Sequence, residues 1–388
     1  MLRRLTYFLL SYTVALYATA ADSIPPQPAD SATAETKRPG LVHRVIEYFS
    51  NSNKPPKDGK LSVRFLGGPH YSEDTQFGLG IMAAGVYNLD RADSLGTNLS
   101  NTSLYTDLCT APRFKIGLKG DNIFPGDRRR LSYELSFCYI DTKFWGIGYD
   151  QCSDDANESR YKSFEVKTNI NYVWRLHNNF FIGPMVVVSY ARAWDTGDRP
   201  VWAGLRRRTL SWGPGFTLRY DTRDCLTQTH RGVAVHINQW FNPAWLGNTD
   251  AYFVNESSVR WFGRLWRGAV LATQLHGRFT WGSTPWADMS TLGGSDNMRG
   301  YFAGRYRDKN EIDVCVELRQ HVYRRSGVVA WVGAASVFPR FSAIRFREIL
   351  PNFGVGYRWE FRKNTNLRLD YGIGKHQSGI VFQINEAF

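Results

Sequence analysis

The chain has 388 residues, with 48 Lys and Arg against 35 Asp and Glu, a formal net charge of +13, and 43% hydrophobic residues. Its 24 Phe, 20 Tyr and 13 Trp, with only 21% charged residues, exclude a disordered or collagen-like chain. Beyond the N-terminus no apolar run reaches the ~18 residues that a membrane helix needs, so a helical membrane protein is excluded and a large β architecture is left open.

The first element, residues 1–20, reads as an export signal. Arg3 and Arg4 form a positive start, Leu5 to Tyr17 an apolar core, and Ala18-Thr19-Ala20 a small-residue cleavage site. Export makes nucleic acid the poorest partner for the basic charge; anionic lipid or anionic substrate fits better. Residues 21–40, rich in Pro, Ala, Ser and Asp, predict a flexible linker. Leu41, Val42, Val45, Ile46 and Phe49 follow at helical spacing, so one short amphipathic helix is expected before residue 61.

From there to residue 388 the period is two. Leu131, Tyr133, Leu135, Phe137 and Tyr139 alternate with Ser132, Glu134, Ser136 and Cys138, and successive strand side chains point to opposite faces. Phe164 to Trp174 and Ile312 to Leu318 repeat the pattern. Strands of about ten residues or more exceed those of most soluble sandwiches and match tilted transmembrane strands. The expected fold class is all-β, a transmembrane antiparallel β-barrel; roughly fourteen strands can be counted, an even number as outer-membrane barrels have.

Short connections are expected at Arg175–Asn179, Phe262–Trp266, Arg324–Gly327 and Arg362–Asn366. Long ones are expected at Asn88–Asn101, Tyr149–Arg160, Trp194–Ala203 and Ala287–Asn310, all on the outer side. Trp174, Trp240, Trp261, Trp266 and Trp281 fall near strand ends and predict an interfacial girdle.

The longest loop carries Leu292-Gly293-Gly294-Ser295-Asp296-Asn297-Met298-Arg299-Gly300-Tyr301. Clustered glycines allow sharp turns and close backbone approach, so the loop is expected to fold into the lumen. Buried there, Arg299 needs an acid. Glu317 and Asp313 lie on the inward face of the next strand, and Asp221 and Asp370 on more distant ones. Arg219, Arg223 and Arg319 complete the expected lumen charges, with Arg206, Arg207 and Arg208 as further lumen cations.

These residues resemble a known family, the outer-membrane protein assembly factors of the bacterial surface antigen superfamily. Arg299-Gly300-Tyr301 is similar to that family's Arg-Gly-aromatic loop motif. Tyr220-Asp221-Thr222-Arg223-Asp224 with Gly232, Glu317-Leu318-Arg319 and the terminal Phe388 support it. The resemblance implies a barrel of sixteen strands, a bacterial outer-membrane location, and a loop motif that contacts acids on the wall. It also implies Phe388 as an assembly signal read by the barrel assembly machinery. Outer-membrane lipids, lipopolysaccharide and client membrane proteins are the implied partners.

Three departures stand out. Trp331-Val332-Gly333-Ala334-Ala335 lacks the acid usual two residues after the aromatic, which moves the expected Arg299 partner to Glu317 or Asp313. Glu386 stands where an apolar residue is usual. No periplasmic repeat fits between residues 21 and 61, so a barrel-only subfamily is expected. No GxSxG, P-loop or HExxH motif occurs, and the eight His and five scattered Cys lack tight ligand spacing. Neither an enzyme, a cofactor nor a metal site is therefore expected. The functional expectations are an insertase or translocase for outer-membrane proteins or lipid, and as alternatives an anion-preferring diffusion pore or a purely structural outer-membrane barrel.

Overall fold

A computed structural model describes residues 62–388 apart from 88, 90–99, 226–227, 363–364 and 385. The expected signal, linker and short helix lie outside the described residues.

Sixteen antiparallel strands close into one barrel. They are β1 (Ser62–Ser72), β2 (Gln76–Tyr87), β3 (Ser100–Cys109), β4 (Arg113–Ile123), β5 (Arg129–Phe144), β6 (Ser159–His177), β7 (Phe180–Trp194) and β8 (Arg208–Asp221). The second half is β9 (Gly232–Asn242), β10 (Tyr252–Arg264), β11 (Ala269–Gly282), β14 (Asn310–Tyr323), β15 (Ser326–Phe338), β16 (Leu350–Arg362), β17 (Thr365–Gly374) and β18 (Gln377–Ile384). Two short strands, β12 (Ser290–Thr291) and β13 (Arg307–Asp308), pair inside the loop that joins β11 to β14. The strand number, sixteen, is the upper end of the fourteen to sixteen expected, two more than the pattern count. Glycine at 67, 68, 78, 80, 117 and 120 dilutes the alternation of β1 to β4 and hides it from a pattern count.

The alternation sets the faces. Phe137, Phe164, Ile170, Val259, Leu275, Val314, Val328 and Leu369 are exposed on the outer wall, the apolar band that a bilayer covers. Their polar neighbours Glu317, Arg319, Gln274 and Asp370 are buried inside. Trp174, Trp261, Trp266 and Trp281 are exposed as expected of a girdle. Trp240 is not among them: it is 6% exposed and packs inward on Met185, Tyr252 and Val254.

Turns between β6 and β7, β10 and β11, β14 and β15, and β16 and β17 are short and share one end of the barrel. The connections after β5, β7, β9, β11 and β15 are longer and share the other. The connection from β2 to β3 breaks the expected sorting. Strand alternation puts it at the short-turn end, while the turns after β1 and β3 at the opposite end are short.

Among the described residues the barrel closes between β1 and β18 through one register pair, Tyr71 with Phe382. The neighbouring pairings are far longer: β17 and β18 share a register from Leu367 to Gly374, and β1 and β2 pair from Ser62 to Ser72.

Candidate functional site

The long loop starts as a small hairpin. Gly293, Gly294, Gly300 and Gly304 all have positive φ, which lets the chain reverse repeatedly within a dozen residues. The Leu292 amide donates to the Tyr306 carbonyl at 3.0 Å and the Gly304 amide to the Leu292 carbonyl at 2.9 Å. Met298 holds a positive φ of 51° without being glycine, a strained conformation that persists only where contacts fix it. Here the fixing contacts are apolar. Leu292, Met298, Tyr301 and Tyr306 pack with Cys152, Ala335, Val337 and Leu350 in one buried cluster.

Arg299 stands at the loop tip and is 1% exposed. Its Nη1 donates to Asp370 Oδ2 at 2.6 Å and its Nη2 to Glu317 Oε2 at 2.5 Å. The guanidinium lies over the Trp331 ring, 3.6 Å from its centroid. Trp331 Nε1 in turn donates to Asn352 Oδ1 at 2.8 Å, and Asn352 Nδ2 donates to the Arg299 carbonyl. One cation is thus held by two carboxylates, one ring and a backbone bond. Fork geometry suits a guanidinium for this, since it offers parallel donors to two acceptors.

The missing acid after Trp331 is replaced from two strands away. Asp370 on β17 reaches the tip because β16 presents Gly356, where a Cβ would lie 2.0 Å from Asp370 Oδ1. The wall beneath the loop is smooth for the same reason. A Cβ on Gly372 would meet the Arg299 carbonyl at 2.1 Å, and one on Gly374 the Tyr301 ring at 2.3 Å. Tyr301 Oη donates to the Pro351 carbonyl at 2.7 Å and accepts from the Lys375 amide at 2.7 Å. Burial pushes its phenol up to about 12, keeping it a donor across the physiological range.

Two more tip residues engage the wall. Asp296 Oδ1 accepts from Arg368 Nη2 at 2.8 Å, and Asn297 Oδ1 accepts from Gln274 Nε2 at 2.8 Å. Contacts to β11, β14 and β17 fasten the tip across the lumen. Arg368 and Gln274 are functional residues that no sequence signal marked, because charge at alternate strand positions is common throughout this barrel.

Asp313 and Asp221 are not partners of Arg299. Asp313 Oδ2 is 2.8 Å from His276 Nδ1, which takes it out of reach of the tip. Asp221 is claimed by Arg223 two residues on, with Nη2 2.7 Å from Oδ2. The Tyr220 to Asp224 motif with Gly232 builds a turn: Asp224 Oδ1 accepts the His230 amide at 2.9 Å, and Gly232 lies so near Thr222 that a Cβ would be 2.5 Å from its carbonyl oxygen. Arg219 is in the lumen, donating to Ser132 Oγ at 3.0 Å. Arg206, Arg207 and Arg208 are not lumen cations. Arg206 bonds the Thr249 carbonyl, Arg207 caps the Trp202 and Leu205 carbonyls, and Arg208 lies against Tyr190.

The C-terminus continues the ion network instead of extending β18. Ala387 and Phe388 are buried with Phe262 and Ala272 inside the barrel. Arg319 Nη2 donates to the Phe388 carbonyl oxygen at 3.0 Å, and its Nε to Glu317 Oε1 at 2.6 Å. Glu386 accepts from Arg358 Nε at 2.8 Å and from Asn366 Nδ2 at 2.6 Å. Arg358 Nη1 returns to Asp370 Oδ1 at 2.5 Å. The unexpected glutamate therefore has two buried cations, Arg319 and Arg358, to neutralise. Burial pushes its carboxyl up, but those two guanidiniums outweigh burial and hold it below the usual range.

Beside the docked loop the lumen keeps free space. A cavity of about 1010 Å³ is bordered by Arg113, Lys115, Lys119, Arg260, Arg278 and His236, among others.

These features define a class: a closed sixteen-stranded barrel with an ion-locked loop docked inside it. Solved barrels share this fold. The chain is similar to BamA from Haemophilus ducreyi lacking POTRA domains 1–3, with 10% identity, 84% of this chain and 70% of that one covered, and a TM-score of 0.58. It is similar to CdiB from Escherichia coli, with 10% identity, 88% and 70% covered, and a TM-score of 0.57. For CdiB from Acinetobacter baumannii the values are 13% identity, 84% and 59% covered, and 0.53. No protein-family model and no curated protein matches the sequence.

Proposed function

We propose that this chain is an outer-membrane barrel of the assembly-factor kind, which helps insert or translocate membrane proteins or lipid and has no enzymatic role. The observation that carries this reading is where the loop is fastened. Its tip bears on β17 and β18, through Gly372, Gly374 and the Gln377 side chain, which accepts from the Phe302 amide at 3.0 Å. The adjacent β1 to β18 seam has one register pair among the described residues. A locked loop beside a weak seam closes the lumen to free diffusion while leaving one strand junction cheap to open. Client membrane proteins would meet that junction, and outer-membrane lipids and lipopolysaccharide would surround it. During its own biogenesis the barrel would be a client of the barrel assembly machinery.

The test is to refold the mature chain into liposomes and follow insertion of a denatured client barrel. Acceleration over empty liposomes, lost in Arg299→Ala, supports the reading. No acceleration together with steady conductance favours an anion-preferring pore, the second reading, for which the basic border of the open cavity speaks.

A further inference from the structure

On the other side of the β1 to β18 seam from the loop's anchor on β17 and β18, the structure holds a cluster that the reading above does not use. His70 on β1 and Asp107 and Cys109 on β3 are separated by the whole of β2. Even so, His70 Nε2 stands 2.6 Å from Asp107 Oδ1, and Cys109 Sγ stands 3.6 Å from Asp107 Oδ2. One ligand atom from each residue falls within 4.8 Å of the other two.

Strands twice removed are about 9 to 10 Å apart, so such a meeting needs the middle strand to give room. Strand β2 does so with glycine. The register puts Gly78 opposite both His70 and Cys109, and Gly80 opposite Asp107. A Cβ on Gly78 would lie 2.3 Å from His70 Cε1, 2.4 Å from its Nε2 and 3.1 Å from Cys109 Sγ. Any residue larger than glycine there would push the imidazole away from both partners.

The donor set is one imidazole nitrogen, one carboxylate oxygen and one thiol sulfur. That combination suits a borderline-soft ion in tetrahedral coordination, with three protein ligands and a fourth position open. Ligand atoms around such an ion are about 3.2 to 3.8 Å apart, given metal bonds of about 2.0 to 2.3 Å. To hold one ion, the 2.6 Å contact of His70 with Asp107 spreads and the longer distances of the group, all within 4.8 Å, draw in; the ion displaces the proton of that hydrogen bond along with that of Cys109. Two cations stand near. Arg113, paired in register with Cys109, has its own carboxylate in Asp74, with Nη1 3.4 Å from Oδ2. Lys115, paired with Asp107, is drawn to the Tyr105 ring. His70 and Asp107 border the open cavity, which gives an ion a route in.

We propose that His70, Asp107 and Cys109 form a binding site for a divalent ion of the zinc class, which ties β1 to β3 across β2 on the seam side of the barrel. This inference stands apart from the assembly reading and does not depend on it. A sequence spacing could not reveal it, since the ligands meet only through a glycine row in a neighbouring strand.

The probe is Co²⁺, titrated into the refolded barrel in detergent under reductant, because a cobalt-bound thiolate gives a charge-transfer absorption that carboxylates and imidazoles do not. The expected result is that band at one ion per barrel, displaced by Zn²⁺, unchanged in Cys138→Ser and lost in Cys109→Ser. Gly78→Ala should weaken binding at least tenfold while heat-modifiable gel mobility reports a closed barrel. If Gly78→Ala fails to fold, Cys109→Ser alone decides, since it removes one atom's chemistry and keeps the side chain's size. A second lumen group, His276 with Glu311 and Asp313, has no thiol and cannot produce the band. Absence of the band in the wild type, or its survival in Cys109→Ser, would reduce the cluster to a lumen ion pair.

Discussion

The two sides of the lumen are built on opposite plans from the same alternation. On the β14 to β18 side, Arg299, Arg319, Arg358 and Arg368 meet Glu317, Asp370, Glu386 and Asp296 in one connected network, and glycines flatten the wall beneath the loop. On the β1 to β4 side, Lys115 and Lys119 face an open cavity and approach an aromatic ring, Tyr105, instead of a docked loop. Both sides present inward charge, yet only one carries the docked loop. Charge at lumen positions does not by itself make a plug; opposite charge delivered by a loop onto a surface without side chains does.

The comparison can be broken most sharply at Arg299. Arg299→Ala leaves Glu317 and Asp370 buried without their shared cation, a loss of about 3 to 5 kcal/mol. Unfolding in denaturant should show it, together with a loop that becomes accessible to protease. Equal stability would mean that Arg319 on Glu317 and Arg358 on Asp370 compensate for the lost cation and that the loop is held by packing alone.

Next in size is the outer wall, which both sides share. Val314→Arg puts a cation on the exposed apolar band at a cost of about 2 to 4 kcal/mol if it lies near the bilayer midplane. Folding yield into lipid should fall. Normal insertion would show that the band sits elsewhere along β14.

A steric change sharpens the role of the flat wall. Gly372→Ala adds a methyl group 2.1 Å from the Arg299 carbonyl oxygen, and overpacking of this kind costs about 1 to 3 kcal/mol. Conductance should rise while the barrel stays closed on gels. On the β1 to β4 side, Lys115→Gln should change stability by less than about 0.5 kcal/mol and shift ion selectivity towards cations.

Acid probes the tail anchor. Glu386 has its carboxyl held low in the folded state by Arg319 and Arg358 against burial. Its stabilising effect is therefore complete above the unfolded value of about 4.3 and is lost as pH falls through the lower folded value. Wild type should lose stability below about pH 4 more steeply than Glu386→Gln. Parallel curves would show that the tail carries no charge-dependent anchor.

Much of this was legible in the residues. The alternation from Leu131 to Tyr139 marks lipid and lumen faces, because period two is the pleat itself. The glycine cluster around Arg299 marks a loop that folds back. What could not be read is which groups meet across the barrel. Asp370 reaches Arg299 only because Gly356 clears the way, and His70 reaches Asp107 only because β2 carries Gly78 and Gly80. Trp240 near a strand end reads as a girdle residue until the face is known, and its parity with Val254 turns it inward. Phe388 reads as the end of a strand; Glu386, drawn to Arg358, turns the last residues into the lumen instead.

The most direct measurement is single-channel conductance in planar bilayers for the wild type, Arg299→Ala and Arg299→Lys at one salt concentration. An ion-locked loop predicts a nearly closed wild type, a steadily open Arg299→Ala, and a flickering Arg299→Lys that keeps the charge but not the fork to Glu317 and Asp370. Three indistinguishable traces would contradict the lock.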